Sequence, residues 1–349
     1  MFAVPFFRSP TQIAIAAGVT ALLTSTVTAP PVPAASGPSL VHRPSSVAHN
    51  QPDGTRAPQQ TQRAPNPVIA AAGDIACSPA DSHFNEGAGL HNYCRQMATS
   101  RRLLNPKIDR VLTLGDNQYE GGHPAHFRAS YGPSWGRVRA KTSPAIGNHE
   151  YRTPGAAGYF GYFGEAAGDP SRGYYSFDIG AWHLVALNSQ CSELAPGTGV
   201  DGCALGSPQN RWLRADLARH PNRCTLAYWH RPPVFNAGYG DDSAVAALWK
   251  ALRAADADVV LTGHRHNYAR FARVGAVGQR DAAGIRQFVV GTGGKNKGPL
   301  SLAPSDTVQA RQGDTFGVLK MRLRPTSYRW QFLPVRGATY SDTGTASCN

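Results

Sequence analysis

The 349 residues exceed one small domain, and a hydrophobic share of 41% supplies a sizeable core, which excludes a chain disordered throughout. Lys and Arg outnumber Asp and Glu by 35 to 22, and the resulting formal charge of +13 suits acidic ligands such as phosphate esters. The basic residues are spread along the chain, with no basic run interleaved with aromatics, so a dedicated nucleic-acid binder is not expected.

Residues 1–35 read as an export signal. Arg8 gives the positive end, residues 13–23 an apolar run, and Val32-Pro33-Ala34 a small-residue cleavage site. That run is too short to span a bilayer comfortably, and no later segment reaches about 18 apolar residues. A secreted protein without a transmembrane segment in its mature chain is therefore expected. Residues 36–66 are rich in Pro, Ser, Gln and Ala and read as a disordered linker, which leaves residues 67–349 as one domain. The 6 cysteines are an even number, as three disulfides require in an exported chain. Proximity favours Cys77 with Cys94, Cys191 with Cys203, and Cys224 with Cys348. No Cys-x-x-Cys spacing points to zinc.

From residue 67 the chain alternates strands and helices. Residues 68–72 form an apolar run ending in Gly73-Asp74, and residues 95–104 have helical character. Residues 111–114 have the composition of a strand buried on both faces, ending in Gly115-Asp116, with Tyr119 one turn further on. Residues 142–146 end in Gly147-Asn148-His149-Glu150. Residues 174–179 and 182–188 alternate as a hairpin around Gly180-Ala181. Ser207-Pro208 opens a helix by an N-cap and a proline at the first helical position. Residues 224–229 are a strand ending in His230, residues 243–255 a helix, and residues 258–262 a strand ending in Gly263-His264-Arg265-His266. The remainder, including residues 287–290, 317–322 and 328–332, reads as antiparallel strands.

Five strand ends thus carry Asp74, Asp116, Asn148 with His149, His230, and His264 with His266. Each alone has a bland explanation: Gly-Asp is usually a turn, and a single histidine after a strand is usually a core residue. The His-x-His pair is more telling, because alternate residues of an extended segment offer two imidazoles on one side. The joint occurrence at apolar strand ends points to metal-assisted chemistry at the edge where open α/β sheets bind ligands.

The series Gly-Asp, Gly-Asp-x-x-Tyr, Gly-Asn-His-Glu, His, Gly-His-x-His resembles the calcineurin-like metallophosphoesterase superfamily and, within it, the purple acid phosphatases. The resemblance covers about residues 67–347. It implies an α/β (α+β) fold, a four-layer αββα sandwich of two mixed β-sheets flanked by helices, with the metal site at strand C-terminal ends. It implies two metal ions: Asp116 bridging, Asp74, Tyr119 and His266 completing the first site, and Asn148, His230 and His264 the second. His149 would stand outside the metal shell, facing the leaving group.

The chain departs from the wider superfamily at Asp74-Ile75-Ala76, where Ala76 replaces a histidine ligand. Tyr119 would fill that place, as in purple acid phosphatases. A phenolate is a hard anionic donor, so Fe(III) is expected there and a divalent Zn, Mn or Fe in the second site. Arg265, Asn267 and Ala269 stand where acidic residues are common in similar bacterial sequences, so carboxylates that orient the imidazoles are expected to be missing. The expected activity is hydrolysis of small-molecule phosphate monoesters by direct attack of a metal-bound hydroxide, with His149 assisting the leaving group. Arg231, Tyr239 and Arg265 are candidate substrate contacts. A phosphodiesterase or nucleotidase on the same metal core, and a secreted binding protein without turnover, are the competing readings.

Overall fold

Short apolar runs, each closed by a glycine or a polar turn, build two β-sheets in the computed structural model. It describes residues 66–195, 197, 201–221, 224–233, 243–298, 300 and 306–349. The expected leader (1–35), all but the last residue of the expected linker (36–66), and Tyr239 lie outside these residues.

The strands are β1 (Val68–Ala72), β2 (Arg110–Leu114), β3 (Thr142–Ala145), β4 (Tyr175–Ile179), β5 (Trp182–Ala186), β6 (Cys224–Tyr228) and β7 (Val259–Thr262). They continue with β8 (Tyr268–Val274), β9 (Ile285–Val290), β10 (Val308–Gln312), β11 (Gly317–Arg324), β12 (Ser327–Pro334) and β13 (Thr343–Ser347). One sheet has the order β13-β12-β11-β1-β2-β3 and the other β10-β8-β9-β7-β6-β5-β4. Both are mixed: β1, β2 and β3 run parallel, as do β5, β6, β7 and β9, while β11, β12 and β13 in one sheet and β4, β8 and β10 in the other pair antiparallel. This is the expected pair of mixed sheets.

Alternation along the strands shows how the layers stack. Leu226 and Tyr228 of β6 join Val259 and Leu261 of β7 in a core shared with Leu112, Leu114 and Val318 of the first sheet. The intervening Ala227 and Val260 face the other way, onto Leu213 and Leu217 of the helix Pro208–Arg219 and Leu248 and Leu252 of the helix Ala246–Ala254. The second sheet is therefore buried on both faces, as a parallel sheet requires. Ser207 caps its helix as expected, its side chain accepting from the Asn210 N–H.

The expected hairpin is present, with β4 and β5 paired through Ile179 and Trp182. One expectation needs correction. Residues 287–290 lie in β9, which is antiparallel to β8 but parallel to β7; strand direction leaves no trace in hydrophobic periodicity. Strand β8 falls in the remainder read as antiparallel strands but has no bounds there, because a bulge between Arg270 and Arg273 turns its burial into a period near three. All three disulfides join the expected partners, Cys77–Cys94, Cys191–Cys203 and Cys224–Cys348. The last ties the C-terminus to β6 across 124 residues, a loop whose closure is worth about 4–5 kcal/mol in the chain-entropy description. No described helix is long and apolar enough to cross a membrane.

Candidate metal centre

Parallel neighbours end on the same side, so β1, β2 and β3 deliver Asp74, Asp116 and Asn148 to one edge. Strands β6 and β7 deliver His230 and His264. Asp74, Asp116 and His264 all adopt the left-handed backbone region, with φ of 60°, 48° and 67°. For residues with a side chain this costs roughly 1–3 kcal/mol each. The turns are held by hydrogen bonds to charged oxygens: the His264 N–H donates to Asp74 Oδ2 at 2.8 Å and the His149 N–H to Asp116 Oδ1 at 2.9 Å. Such bonds contribute about 1.5–3 kcal/mol each, the same order as the strain at one such residue.

The side chains converge in two groups around Asp116. In the first, the Tyr119 hydroxyl lies 2.9 Å from Asp74 Oδ1, 2.9 Å from Asp116 Oδ2 and 3.1 Å from His266 Nε2. In the second, His230 Nε2 lies 3.2 Å from Asp116 Oδ2, 3.1 Å from Asn148 Oδ1 and 3.1 Å from His264 Nδ1. The His-x-His pair is not extended. Short backbone bonds from Arg265 N–H to Gly263 and from Asn267 N–H to Arg265 coil the segment. The two imidazoles therefore serve different groups instead of one side of a strand.

These donors fit a cation, because acceptors outnumber hydrogens. One phenolic hydrogen cannot serve both carboxylates around Tyr119. His230 already donates Nδ1–H to the Leu114 carbonyl at 2.8 Å, so a neutral ring turns a lone pair at Nε2 toward Asp116 and Asn148. His266 likewise gives Nδ1–H to Asn296 Oδ1 at 2.6 Å. The electrostatics record the same excess. Burial, then the two carboxylates, keep the Tyr119 phenol protonated well above its ordinary range. Burial opposes a charge on His230, yet Asp116 beside it drives the imidazole up to about 9. Burial and His230 push His264 down to about 3. Burial alone would raise the Asp116 carboxyl, but His230 and His149 hold it well below the carboxylate range.

His149 stands beside this assembly. Its Nδ1 donates to the Glu120 carbonyl at 2.6 Å, its Nε2 is 3.8 Å from Asp116 Oδ2, and its ring lies 4.2 Å from that of Tyr119. Arg231 also reaches the centre, with Nη1 3.3 Å from His264 Nε2, while its N–H and Nε–H donate to Ser189 and Gln190. Arg265 is half-buried, and its backbone links Gly263 to Asn267 in the turn between the two imidazoles. Ala76 is fully buried and bridges to Gln118.

Sequence reasoning missed three groups. Glu150 is buried and accepts from the N–H groups of Asn117, Gln118 and Gly147, which locks two of the ligand turns together. Asn296 orients His266. Lys295 pairs with Asp81 and Glu120 and lies 5.1 Å above the Tyr119 ring. The last two belong to Gly-Thr-Gly-Gly-Lys-Asn-Lys-Gly (291–298), whose glycines in sequence were the available signal. The anticipated loss of orienting groups also changes meaning. Ala269 packs in the core of the second sheet, and an amide oxygen orients His266.

Two sheets packed face to face, with carboxylates and imidazoles gathered at parallel strand ends, define a metallophosphoesterase-type α/β protein. The family profile of calcineurin-like phosphoesterases matches residues 68–268, and the chain belongs to that family. Among curated proteins it is similar to purple acid phosphatase 18 of Arabidopsis thaliana, 31% identical over 140 residues, covering 38% of this chain and 30% of the relative. Purple acid phosphatase 22 of the same plant is 35% identical over 132 residues, covering 36% and 28%. The chain thus spans less than a third of the length of these two relatives. Among solved structures, purple acid phosphatase PPD1 from yellow lupin superposes with a TM-score of 0.62 at 19% identity, covering 82% of this chain and 54% of that one. GAP50, the anchor in the inner membrane complex of Plasmodium, gives 0.59 at 13% identity, covering 81% and 89%. At such identities the two structures show the fold alone.

Proposed function

We propose that this chain is an exported phosphoric ester hydrolase that releases phosphate from small-molecule monoesters with two metal ions. The observation that carries the reading is the convergence of Asp74, Asp116, Tyr119, Asn148, His230, His264 and His266 within hydrogen-bonding distance where strand ends of both sheets meet. Asp74, Tyr119 and His266 would hold one ion, Asn148, His230 and His264 the other, with Asp116 shared. The phenol of Tyr119 favours ferric iron in its site, and the amide and imidazole donors suit a divalent ion. Paired metals supply a hydrolytic water of lowered pKa and neutralise phosphoryl charge. Export is supported by the three disulfides, which persist in oxidising compartments.

The protein's own part is positioning. Leu114 and Asn296 fix the ring orientation of His230 and His266 by taking their Nδ1 protons. Glu150 holds the turns that carry Asp116 and Asn148. The Glu120 carbonyl anchors His149 through Nδ1–H, so Nε2 gives a proton to the departing oxygen only from the imidazolium; burial lowers the pKa of this ring, which places that acid role at acidic pH. Arg231 adds a cation beside His264 for a phosphoryl oxygen.

The test is turnover of p-nitrophenyl phosphate against bis(p-nitrophenyl) phosphate, with metal analysis on the same sample. Faster turnover of the monoester is expected, together with visible tyrosinate-to-iron absorption. Preference for the diester would make the protein a phosphodiesterase. Turnover of neither with both metals bound would leave a binding protein. The His149→Ala variant is expected to lower kcat by about 10²–10⁴ with metal content unchanged; loss of metal would make His149 a structural residue.

A further inference from the structure

The outer face of the six-stranded sheet carries a cluster of cations. Lys320, Arg322 and Arg324 of β11 point outward, because Leu319, Met321 and Leu323 between them are buried. In the antiparallel register Arg322 stands directly opposite Arg329 of β12, and Lys320 opposite Gln331. Like charges directly opposed across a ladder are destabilising. Lys107, from the loop before β2, joins them. Lys107, Lys320, Arg322 and Arg329, with Asn105 and Gln331, line a cavity of about 270 Å³. Burial, then Arg322 and Arg329, hold the Lys320 ammonium below its ordinary range.

The described carboxylate at the rim of the cavity is Asp109, whose Oδ2 accepts from the Val68 N–H at 2.7 Å. Among the described residues no carboxylate pairs with any of the four cations. Residues 1–65 carry one acidic residue, Asp53, against Arg8, Arg43, Arg56 and Arg63, so that segment is itself net basic. The cavity is also separate from the metal donors. Val68 at the start of β1 lines it, and Asp74 lies six residues along, about 20 Å at ~3.3 Å per residue. A small ester cannot touch both.

We propose that this cavity binds a compact oligophosphate anion, of the tripolyphosphate type, at a site distinct from the metal centre. Guanidinium groups match phosphate oxygens in a bidentate fork, and four cations around one cavity favour a multivalent anion over a single phosphate. The cavity is small for an organic ligand, and Trp330, the aromatic in its lining, is 4% exposed and offers no platform for a base or sugar. Recognition therefore rests on charge.

The test is calorimetric titration of tripolyphosphate into the metal-loaded protein at physiological salt. Wild type is expected to bind one equivalent more than the Arg322→Gln/Arg329→Gln double variant. Asp116→Asn, altered only at the metal centre, is expected to keep that equivalent. The double variant should turn over p-nitrophenyl phosphate at the wild-type rate and, without ligand, melt no lower than wild type, since it loses a like-charge pair. Equal stoichiometry and affinity in wild type and double variant would overturn the proposal. So would loss of the extra equivalent in Asp116→Asn instead, which would leave the metal centre as the anion site. Should the double variant not fold, Lys107→Gln/Lys320→Gln decides by the same comparison.

Discussion

At the scale of single residues, the site depends on groups that never touch substrate. Asn296 is the clearest case, because its amide oxygen takes the Nδ1 proton of His266 and so aims Nε2 at Asp74 and Tyr119. Outer-shell partners of metal-ligating histidines commonly matter by 10–100-fold in affinity. Asn296→Ala is therefore expected to weaken metal binding by about tenfold or more, read by competition with a chelator, while Asn296→Asp, which keeps an acceptor, retains most of it. Equal affinity in Asn296→Ala would remove the residue from the site. Gly147 illustrates a different constraint: a Cβ there would lie 2.2 Å from Asp116 Oδ1, so no side chain fits behind that carboxylate.

At the scale of elements, the hairpin β4–β5 is pinned to the helix Pro208–Arg219 by a charged cluster remote from the metal donors. His183, 1% exposed, places Nδ1 2.7 Å from Asp178 Oδ1 and Nε2 2.9 Å from Asp216 Oδ2, and Ser176 donates to the same Asp216 carboxylate. His220 stacks on His183 and sits 3.3 Å from Asp216 Oδ1. Burial opposes a charge on His183, but the two carboxylates raise its pKa above the ordinary value of 6.5. Burial likewise opposes ionisation of Asp216, yet His183 and Ser176 bring its pKa below 3.8. The sign for His183 follows: its stabilisation is complete below pH 6.5 and is lost as pH rises through the raised folded value. For Asp216 the stabilisation is present above pH 3.8 and is lost as pH falls through the lowered value. Leaving one member of a buried pair uncompensated costs about 3–5 kcal/mol. His183→Ala is thus expected to destabilise by about 3 kcal/mol in urea unfolding at pH 6, and to abolish the wild-type decline in stability above pH 6.5. A variant that keeps that decline would place its origin elsewhere.

The same scale explains what the sequence could tell. Apolar runs ending in Gly-Asp, in Gly-His or directly in His are local, so Asp74, Asp116, His264 and His230 are legible as strand-end residues in the order of amino acids alone. Residues whose role arises from distant approach are not. Asn296 lies 30 positions beyond His266, and Glu150 works by tying the Asn117-Gln118 turn to its own turn at Gly147. The bounds of strand β8 escaped because its bulge breaks the two-residue alternation. The expectation that His264 and His266 would flank one extended segment failed on backbone conformation, since a left-handed residue at His264 is invisible to periodicity.

At the scale of the whole molecule, the two ends of β1 carry opposite kinds of charge chemistry. Its C-terminal end adjoins two buried carboxylates facing imidazoles, whereas its N-terminal end adjoins four cations. The formal charge of +13 is thus partly concentrated on one sheet face, which favours encounter with anionic molecules in a salt-dependent way. The fold of this family, shared at low identity with proteins as different as a plant phosphatase and a membrane-complex anchor, does not by itself fix activity. In the proposed function that burden falls on the side chains gathered around Asp116.

Anomalous diffraction at the iron and zinc edges, on crystals of protein purified without chelator, tests this most directly. Two peaks are expected, one against Tyr119, Asp74 and His266 and one against Asn148, His230 and His264, with Asp116 in contact with both. A single peak, no peak, or ions held by other side chains would contradict a two-metal hydrolase.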